Sequence, residues 1–464
     1  MSTSNTSPMD QKDFDPQEAA NMRTERKDRI SKTLAKRHRK EKTFRLAGLS
    51  AVVVGLFFVA LLFASILSKG LPAFWQASIT VPVYFDPAVI NAEPQPTQKT
   101  NESPAQYQTR YVEWQTQMGM VDWDALIVNG MIAKDPSLEA QRDYLNSIYT
   151  SSEAYRLRDM VFADPALIGQ KKEMTFLADA NVDVWMSGKI DRSLPDEQQQ
   201  LDTETRKLVD DLQAKDILER KFNTNIFTNP DSRSSPATSG LAGAFMGSLF
   251  MMLIVILISI PIGVASAIYL EEFAPKNIWT DIIEVNINNL AAVPSIVFGL
   301  LGAAIFIGWM HLPLSAPVVG GLVLSLLTLP TVIITTRASL KAVPPSIRQA
   351  ALGLGASKVQ TVFHHVLPLA LPGIMTGAII GVAHALGETA PLLLIGMSAF
   401  VASIPATPLD QATALPVQIY LWQGNELRNF FEGRTAAAII VLLALLIGLN
   451  SLAIWLRKKF EVRW

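Results

Sequence analysis

Cysteine is absent from all 464 residues of this sequence. The chain therefore forms no disulfide bond, holds no cysteine-ligated zinc and carries out no thiol catalysis. The phosphate-binding loop G-x-x-x-x-G-K-[ST] is missing as well, so we expect no ATP hydrolysis by this chain. We also expect neither a metal site nor a bound cofactor. Charged residues amount to only 17%, against 49% hydrophobic residues. The net charge of −1 at pH 7 says little about partners, because charge is segregated along the chain.

The first long apolar run extends from Leu46 to Leu67 without a charge. At about 1.5 Å per residue, a helix of this length crosses a hydrocarbon core of about 30 Å. Residues 1–45 precede it and carry eleven Lys and Arg between Arg23 and Arg45. A basic run also fits a nucleic-acid-binding patch, but its position beside a span favours the positive-inside rule. We predict a cytoplasmic, largely disordered tail at 1–45 and an uncleaved transmembrane helix at 46–68.

An acidic segment, residues 69–237, follows the first span. It contains 25 Asp and Glu against 17 Lys and Arg, with no histidine and no spanning run. Apolar residues recur at helical spacing in 138–161 and in 201–222. We predict a soluble, mainly helical domain that is inserted between the first and second transmembrane helices.

Apolar runs return after residue 237, which predicts an all-α membrane protein with about six transmembrane helices. With the amino terminus inside, alternation places the 69–237 domain outside the cytoplasm and both termini inside. The segment 337–368 agrees with this orientation, because it contains four Lys or Arg and no acid. The remaining spans are predicted at 241–269, 290–310, 316–336, 369–398 and 435–456.

The segment 343–368 has the pattern of two short helices joined by a glycine break. We predict helices at 343–353 and 357–366, a turn at Gly355 and a stop at Pro368. Small side chains around the turn would let another protein approach closely, although an ordinary surface loop between spans has similar features. The residues of interest are Gln349, Ala350, Ala351, Gly355, Leu367 and Pro368.

These residues resemble the EAA loop of ABC importer permeases. That loop reads Glu-Ala-Ala, three residues, Gly, nine residues, Ile, any residue and Leu-Pro. The Ala-Ala pair, the glycine and the Leu-Pro of this chain have that spacing, whereas Gln349 replaces the glutamate and His365 the aliphatic residue. Further motifs in the same order are similar to the PstA-type permeases of the phosphate importer. They lie at Ile268–Pro275, Asn289–Leu301, Leu386–Leu394 and Ala414–Tyr420.

Span five contains two ionisable residues, His384 and Glu388, four residues apart. A charge inside the hydrocarbon region is costly, so such residues usually face a bundle interior or a pathway. They form either a mutually satisfied pair that stabilises the bundle or a polar lining of the translocation path. Arg337 is either a positive-inside anchor or a phosphate contact near the inner gate. The candidate path residues are His384, Glu388, Thr389, Arg337, Pro294 and Ser295.

The resemblance implies a type I ABC importer permease fold, with a permease core at 238–464 and the 69–237 domain outside the common core. It implies three partners: a second permease subunit (PstC-like), an ATP-binding subunit dimer (PstB-like) that uses the ATP, and a periplasmic phosphate-binding protein (PstS-like). It also implies an inner-membrane location in contact with lipid, and inorganic phosphate as the substrate. The alternatives are another oxyanion, molybdate or sulfate, or a membrane sensor or scaffold that acts through the 69–237 domain.

Overall fold

The computed structural model describes residues 16–91, 95–99 and 102–460. Four stretches of π-helix interrupt or extend the α-helices, at Tyr269–Phe273, Ala303–Trp309, Thr361–Val366 and Leu393–Met397. In chain order, the elements are α1 (Pro16–Gly70), β1 (Trp75–Tyr84), α2 (Pro87–Ile90), α3 (Pro104–Gly119), α4 (Trp123–Lys134), α5 (Arg142–Leu145), α6 (Ser152–Ala163), β2 (Lys171–Leu177), α7 (Ala180–Met186), α8 (Thr203–Ala214), β3 (Leu218–Phe222), α9 (Asn225–Thr228), α10 (Ala242–Ile268), α11 (Ile278–Ala291), α12 (Ser295–Gly302), α13 (Pro317–Lys341), α14 (Pro345–Gly353), α15 (Lys358–Gln360), α16 (Leu367–Gly387), α17 (Ala390–Leu392), α18 (Leu415–Gln423) and α19 (Arg428–Phe460).

Helix α1 is much longer than the predicted first span. It begins at Pro16 and runs to Gly70, so residues 16–45 of the predicted disordered tail are helical. Lys, Arg, Glu, Gln and Ala are good helix formers, and the covalent continuity with an apolar span removes the cost of starting a new helix. Residues 1–15 of the predicted tail lie outside the described residues. The prediction of disorder at 16–45 is therefore wrong.

The inserted domain contains an antiparallel sheet of strand order β2-β1-β3, which the sequence-based prediction missed. Apolar residues alternate along β1 and all of them are fully buried: Ala77, Ile79, Val81 and Val83. Pro82 is tolerated in this central strand because β3 pairs only with Trp75–Ile79, which leaves the β3 side of β1 open beyond that point. The domain is still mainly helical, and helices α3 to α8 contribute side chains to the core around this sheet.

The apolar pattern at 201–222 corresponds to two elements instead of one helix. Helix α8 ends at Ala214, Asp216 adopts a positive φ of 53°, and β3 follows. Residues four apart share a face in a helix and also in a strand, so Leu218 and Phe222 fitted either structure. The prediction of a helix is correct for 203–214 and wrong for the remainder.

Among the described residues, five helices are long and apolar enough to cross a membrane, and a sixth span results if a bent pair is counted as one. The bent pair is α11 with α12 and its π-helical extension, which meet at an angle of 101°. The bend lies at Pro294, because proline disfavours helical conformation in the residue before it. The span predicted at 290–310 is therefore interrupted before Ser295, and the chain before the interruption, Ile278–Ala291, is helical as well.

The inserted domain shares a hydrophobic cluster with the spans. From the domain come Phe74, Ala180, Val184 and Ile226, and from the membrane region come Leu241, Ala244, Leu415, Trp422, Phe430, Phe431, Ala437 and Ala438. Polar contacts reinforce the cluster. The Gln418 amide and the Trp422 indole donate to Asp231 over 3.0 and 3.1 Å. Within residues 66–464, the domain is thus fixed to the permease core by packing.

Helices α13 and α16 approach closely along a row of glycines on α16. A Cβ at Gly381 would lie 2.9 Å from a methyl carbon of Thr328, and a Cβ at Gly377 would overlap the Thr335 side chain. Helices in a membrane are not driven together by the exclusion of water, so they associate through close van der Waals packing. Small residues at the interface let the two backbones approach closely enough for this packing.

Replacing Gly377 by valine should therefore destabilise the packed spans. Overpacking of this kind costs about 1–3 kcal/mol, so we expect a lower midpoint of thermal unfolding for the detergent-purified chain. Gly448→Ala is the matched control, because Gly448 lies in mid-helix in α19 with open space around it. Equal midpoints for Gly377→Val and the native chain would contradict close packing at this position.

Candidate functional site

The predicted coupling segment forms a helical hairpin. Helix α14 ends at Gly353, and Gly355 has a φ of +89°, the left-handed conformation that favours glycine. Ser357 then caps the next helix, because its side chain accepts from the Gln360 backbone while the Gln360 side chain accepts from the Ser357 backbone. The predicted order of helix, glycine turn and helix is present in the structure.

The second helix of this hairpin does not end at Pro368. Lys358–Gly387 is one helical stretch, in which the π-helical turn Thr361–Val366 joins α15 to α16. Proline has no N–H to donate to the carbonyl oxygen four residues earlier, and its ring clashes with that carbonyl group. The wider π-helical turn just before Pro368 accommodates the missing hydrogen bond and the ring. Leu367 and Pro368 are therefore half-buried within a helix, and the stop predicted there is wrong.

The outer surface of the hairpin is apolar as well as small. Gln349, Ala350 and Gly355 are exposed, whereas Ala351 is buried and faces inward. Larger apolar side chains next to the turn are strongly exposed: Leu352, Leu354, Val359 and Phe363, with Leu354 at 90%. The sequence analysis missed these residues, although a leucine directly before a turn glycine in a polar loop was a usable signal. Exposed apolar side chains grouped on one segment indicate a protein-binding face.

Arg348, the residue before Gln349, fixes the hairpin to the spans. Its guanidinium binds Glu272 at 2.7 Å and donates to the Leu340 and Val343 carbonyl oxygens at 2.9 and 2.7 Å. Glu272 belongs to the π-helical end of α10 and Leu340 to the end of α13. Arg348 therefore links α14 directly to two spans. The sequence pattern gave no indication of these contacts.

Arg337 lies at the same end of α13 and is bonded by two carboxylates. The guanidinium is 3.3 Å from Glu271 and 2.8 Å from Glu284, and Lys341 is 3.6 Å from Glu271. Glu271 and Glu284 thus neutralise cations of α13. Both interpretations of Arg337, anchor and phosphate contact, stay predictions.

The two ionisable residues of span five lie at a break in the helix. Helix α16 ends at Gly387, Glu388 has an extended ψ of 128°, and a new helical turn begins after Thr389. Glu388 therefore lies just beyond the helix that contains His384, and the His384 ring nitrogen Nε2 is 3.2 Å from Glu388 Oε1. The His384 side chain is 60% exposed and that of Glu388 is 18% exposed.

Pro294 and Ser295 lie at the other break, between α11 and α12. The elements that follow the two breaks, α12 and α17, pack tightly, since a Cβ at Gly299 would lie 2.7 Å from the Pro391 Cα atom. Four of the predicted path residues therefore belong to two neighbouring interrupted helices: Pro294, Ser295, Glu388 and Thr389. Interrupted spanning helices with polar residues are typical of transport sites. Arg337 belongs to the ion-pair cluster described above.

Two family models match this sequence. A domain of unknown function covers residues 31–196 and ends before α8 and β3. The binding-protein-dependent transport system inner membrane component covers residues 259–462, which includes the hairpin and both interrupted helices.

Individual relatives are similar over about a third to a half of the chain. The phosphate transport system permease protein PstA of Yersinia pestis is 33% identical over 50% of this chain and 78% of its own length. PstA of Mycobacterium leprae is 34% identical over 46% of this chain and 68% of its own. The probable ABC transporter permease protein YqgI of Bacillus subtilis is 34% identical, but this chain spans only 56% of its length. Among solved structures, the MetNI methionine ABC transporter matches over 47% of this chain and 94% of the other, with 16% identity and a TM-score of 0.36.

Proposed function

Because this chain belongs to the PstA-type permeases of binding-protein-dependent transport systems, we propose that it forms half of the translocation path of an ATP-driven phosphate importer. Two of these relatives are phosphate transport permeases, which supports this choice. The observation that carries the proposal is the hairpin Pro345–Val366, which exposes apolar side chains around the turn at Gly355 and is tied to two spans by Arg348.

In the proposed mechanism, an ATPase dimer binds the exposed side of the hairpin around Leu354 and Gly355. Closure of the dimer on ATP moves α14, and the Arg348–Glu272 ion pair transmits the movement to α10 and α13. The two states of the permease then alternate because the partner binds them with different affinity. This chain uses no ATP and no cofactor of its own in the cycle.

The remaining partners follow from the same proposal. A second, PstC-like permease completes the pathway, and a PstS-like binding protein delivers phosphate on the side of the inserted domain. With the binding protein on the side of the inserted domain, both termini and the hairpin lie on the other side, in the cytoplasm. The helix breaks at Pro294 and Glu388 line the path, and His384 supplies the proton or positive charge that a carboxylate needs beside an anionic substrate.

The test of the proposed substrate is uptake of radiolabelled phosphate in cells that lack this chain, with and without its restoration. We expect restoration to rescue uptake at low phosphate, and excess molybdate or sulfate not to compete. Competition by either oxyanion would reassign the substrate, while unchanged uptake in a strain without a second phosphate system would overturn import by this chain.

Replacement of Glu388 by glutamine tests the path itself. A neutral amide cannot exchange a proton with His384, so we expect phosphate uptake to fall at least about tenfold, which corresponds to a barrier raised by about 1.4 kcal/mol. Membrane levels of the chain should remain normal. Asp281→Asn, at an exposed carboxylate of α11, is the control. Normal uptake by the Glu388→Gln chain would remove Glu388 from the path.

A further inference from the structure

The inserted domain carries an aromatic patch that none of the proposed transport roles uses. We define it by the side chains of Leu71, Trp75, Phe222 and Phe227, which are 44–52% exposed. Single exposed apolar residues are common, but a contiguous group on a domain with an excess of acids points to a binding surface.

The patch is rigid. Trp75 and Phe222 are direct partners across β1 and β3, and their rings meet edge-on with centroids 5.4 Å apart. The buried Phe74 ring lies beneath them and stacks on Phe227 at 5.5 Å. Arg220 donates to the Trp75 carbonyl oxygen at 2.6 Å, which holds the turn between α1 and β1. The side chains of the patch are thus held in a fixed arrangement at the surface.

Chain connectivity places the patch at the membrane boundary. The first span ends at Gly70, and one 3₁₀ turn, Leu71–Phe74, leads directly to Trp75. At about 2 Å per residue, Trp75 lies within about 10 Å of the end of the span. Lys69 in the last turn of α1 pairs with Glu432 of α19 at 2.7 Å, and this exposed ion pair marks the polar side of the boundary.

The patch also continues into the surface of the spans. Phe227 lines an apolar groove of about 580 Å³ together with Leu241 and Phe245 at the start of α10. The remaining lining residues belong to α19: Val441, Ala444, Leu445, Gly448, Leu449 and Leu452. The exposed rings therefore extend a surface that already lies in the hydrocarbon region.

We propose that the aromatic patch inserts into the lipid interface of the leaflet on the side of the inserted domain. Tryptophan and other aromatic side chains favour this zone, because their rings are apolar enough to leave water and are accommodated among headgroups. The domain is then seated on the membrane through β1 and β3 as well as held by α1 and α10. This proposal needs the chain to span a membrane, but it does not depend on phosphate as the substrate.

The absence of cysteine allows a direct test, because one introduced cysteine carries the only label. We would attach a nitroxide at Phe222→Cys, and separately at Phe227→Cys, in the full chain reconstituted into vesicles of phosphatidylethanolamine and phosphatidylglycerol. The control is Met120→Cys, which is 81% exposed at the turn between α3 and α4 of the same domain. Accessibility to oxygen, which partitions into lipid, is compared with accessibility to a water-soluble nickel chelate.

We expect the oxygen-to-chelate ratio at positions 222 and 227 to be several-fold higher than at position 120. A ratio equal to that of the control would overturn the proposal, because the rings would then face water. Protection from both reagents at 222 and 227 would also overturn it, since a protein surface would then cover the patch. The two labelled positions are independent, so a folding defect in one variant leaves the other informative. Uptake measurements play no part in either outcome.

Discussion

Replacement of Gly355 by valine is expected to abolish substrate uptake while the chain still reaches the membrane. The φ of +89° at this position is strained for any residue with a Cβ atom, and most of all for a β-branched one. No side chain crowds the position, since a Cβ there would meet nothing within 4 Å. The expected cost of about 1–3 kcal/mol comes from the backbone alone. It should be relieved by a rearranged turn that no longer presents Leu354 to the ATPase.

Gly353→Val is the matched control for this experiment. Gly353 lies in the same hairpin, also has open space around its Cβ position, and is the last residue of α14 with no positive φ. Valine is tolerated better than glycine in a helix, so we expect the control chain to import normally. Uptake and ATPase stimulation are measured for both chains at equal membrane levels. Normal uptake by the Gly355→Val chain would refute the proposed coupling role of the hairpin.

Replacement of Arg434 by methionine should separate the inserted domain from the permease core. This buried guanidinium donates to the Gln76 side chain at 2.7 Å and to the Ala237 carbonyl oxygen at 2.9 Å, and it also binds the Ser239 carbonyl oxygen. Methionine fills a similar volume but leaves the Ser239 carbonyl oxygen without its donor, while the Gln76 and Ala237 oxygens each lose one of two donors. A buried acceptor without a donor costs about 1–3 kcal/mol, so we expect a loss of at least about 1 kcal/mol.

The measurement is thermal unfolding of the purified chain, followed together with limited proteolysis of the segment 229–241. We expect a lower unfolding midpoint and faster cleavage in this segment, which links the domain to α10. Arg428→Met is the control, because Arg428 lies in the first turn of the same helix and is exposed. If Arg434→Met unfolds and is cleaved like the native chain, Arg434 does not hold the two parts together.

The membrane region was well predicted because its signal is strong and local. Uncharged runs near 20 residues identify spanning helices whatever their neighbours are, and the motifs around Gly355 gave the helical hairpin correctly. The helix breaks at Pro294 and Glu388 were harder to predict from the sequence. Proline is tolerated inside spanning helices, as Pro261 and Pro330 demonstrate in this chain, so the residue type alone does not indicate a bend of 101°.

The inserted domain was predicted less well, for two different reasons. A strand was indicated by the alternation of Ala77, Ile79, Val81 and Val83. Pro82, and the position directly after a span, argued against a strand. The contacts of Arg348 and Arg434 were not accessible from sequence, because each side chain meets partners far away in the chain, at separations of up to 76 and 358 residues. Contacts between residues so far apart in the sequence form only once the chain has folded.

The shared cluster of Phe74, Ile226, Leu241 and Trp422 has a consequence for the engineering of this transporter. Excision of residues 80–228 would remove Ala180, Val184 and Ile226 from that cluster, together with Asn223, whose amide donates to the Gln76 oxygen that binds Arg434. We therefore expect a shortened chain to fail even if the domain had no role in transport. A chain without this segment would need other side chains to cover the same faces of α10, α18 and α19. The segment is therefore not removable unless these helices change with it.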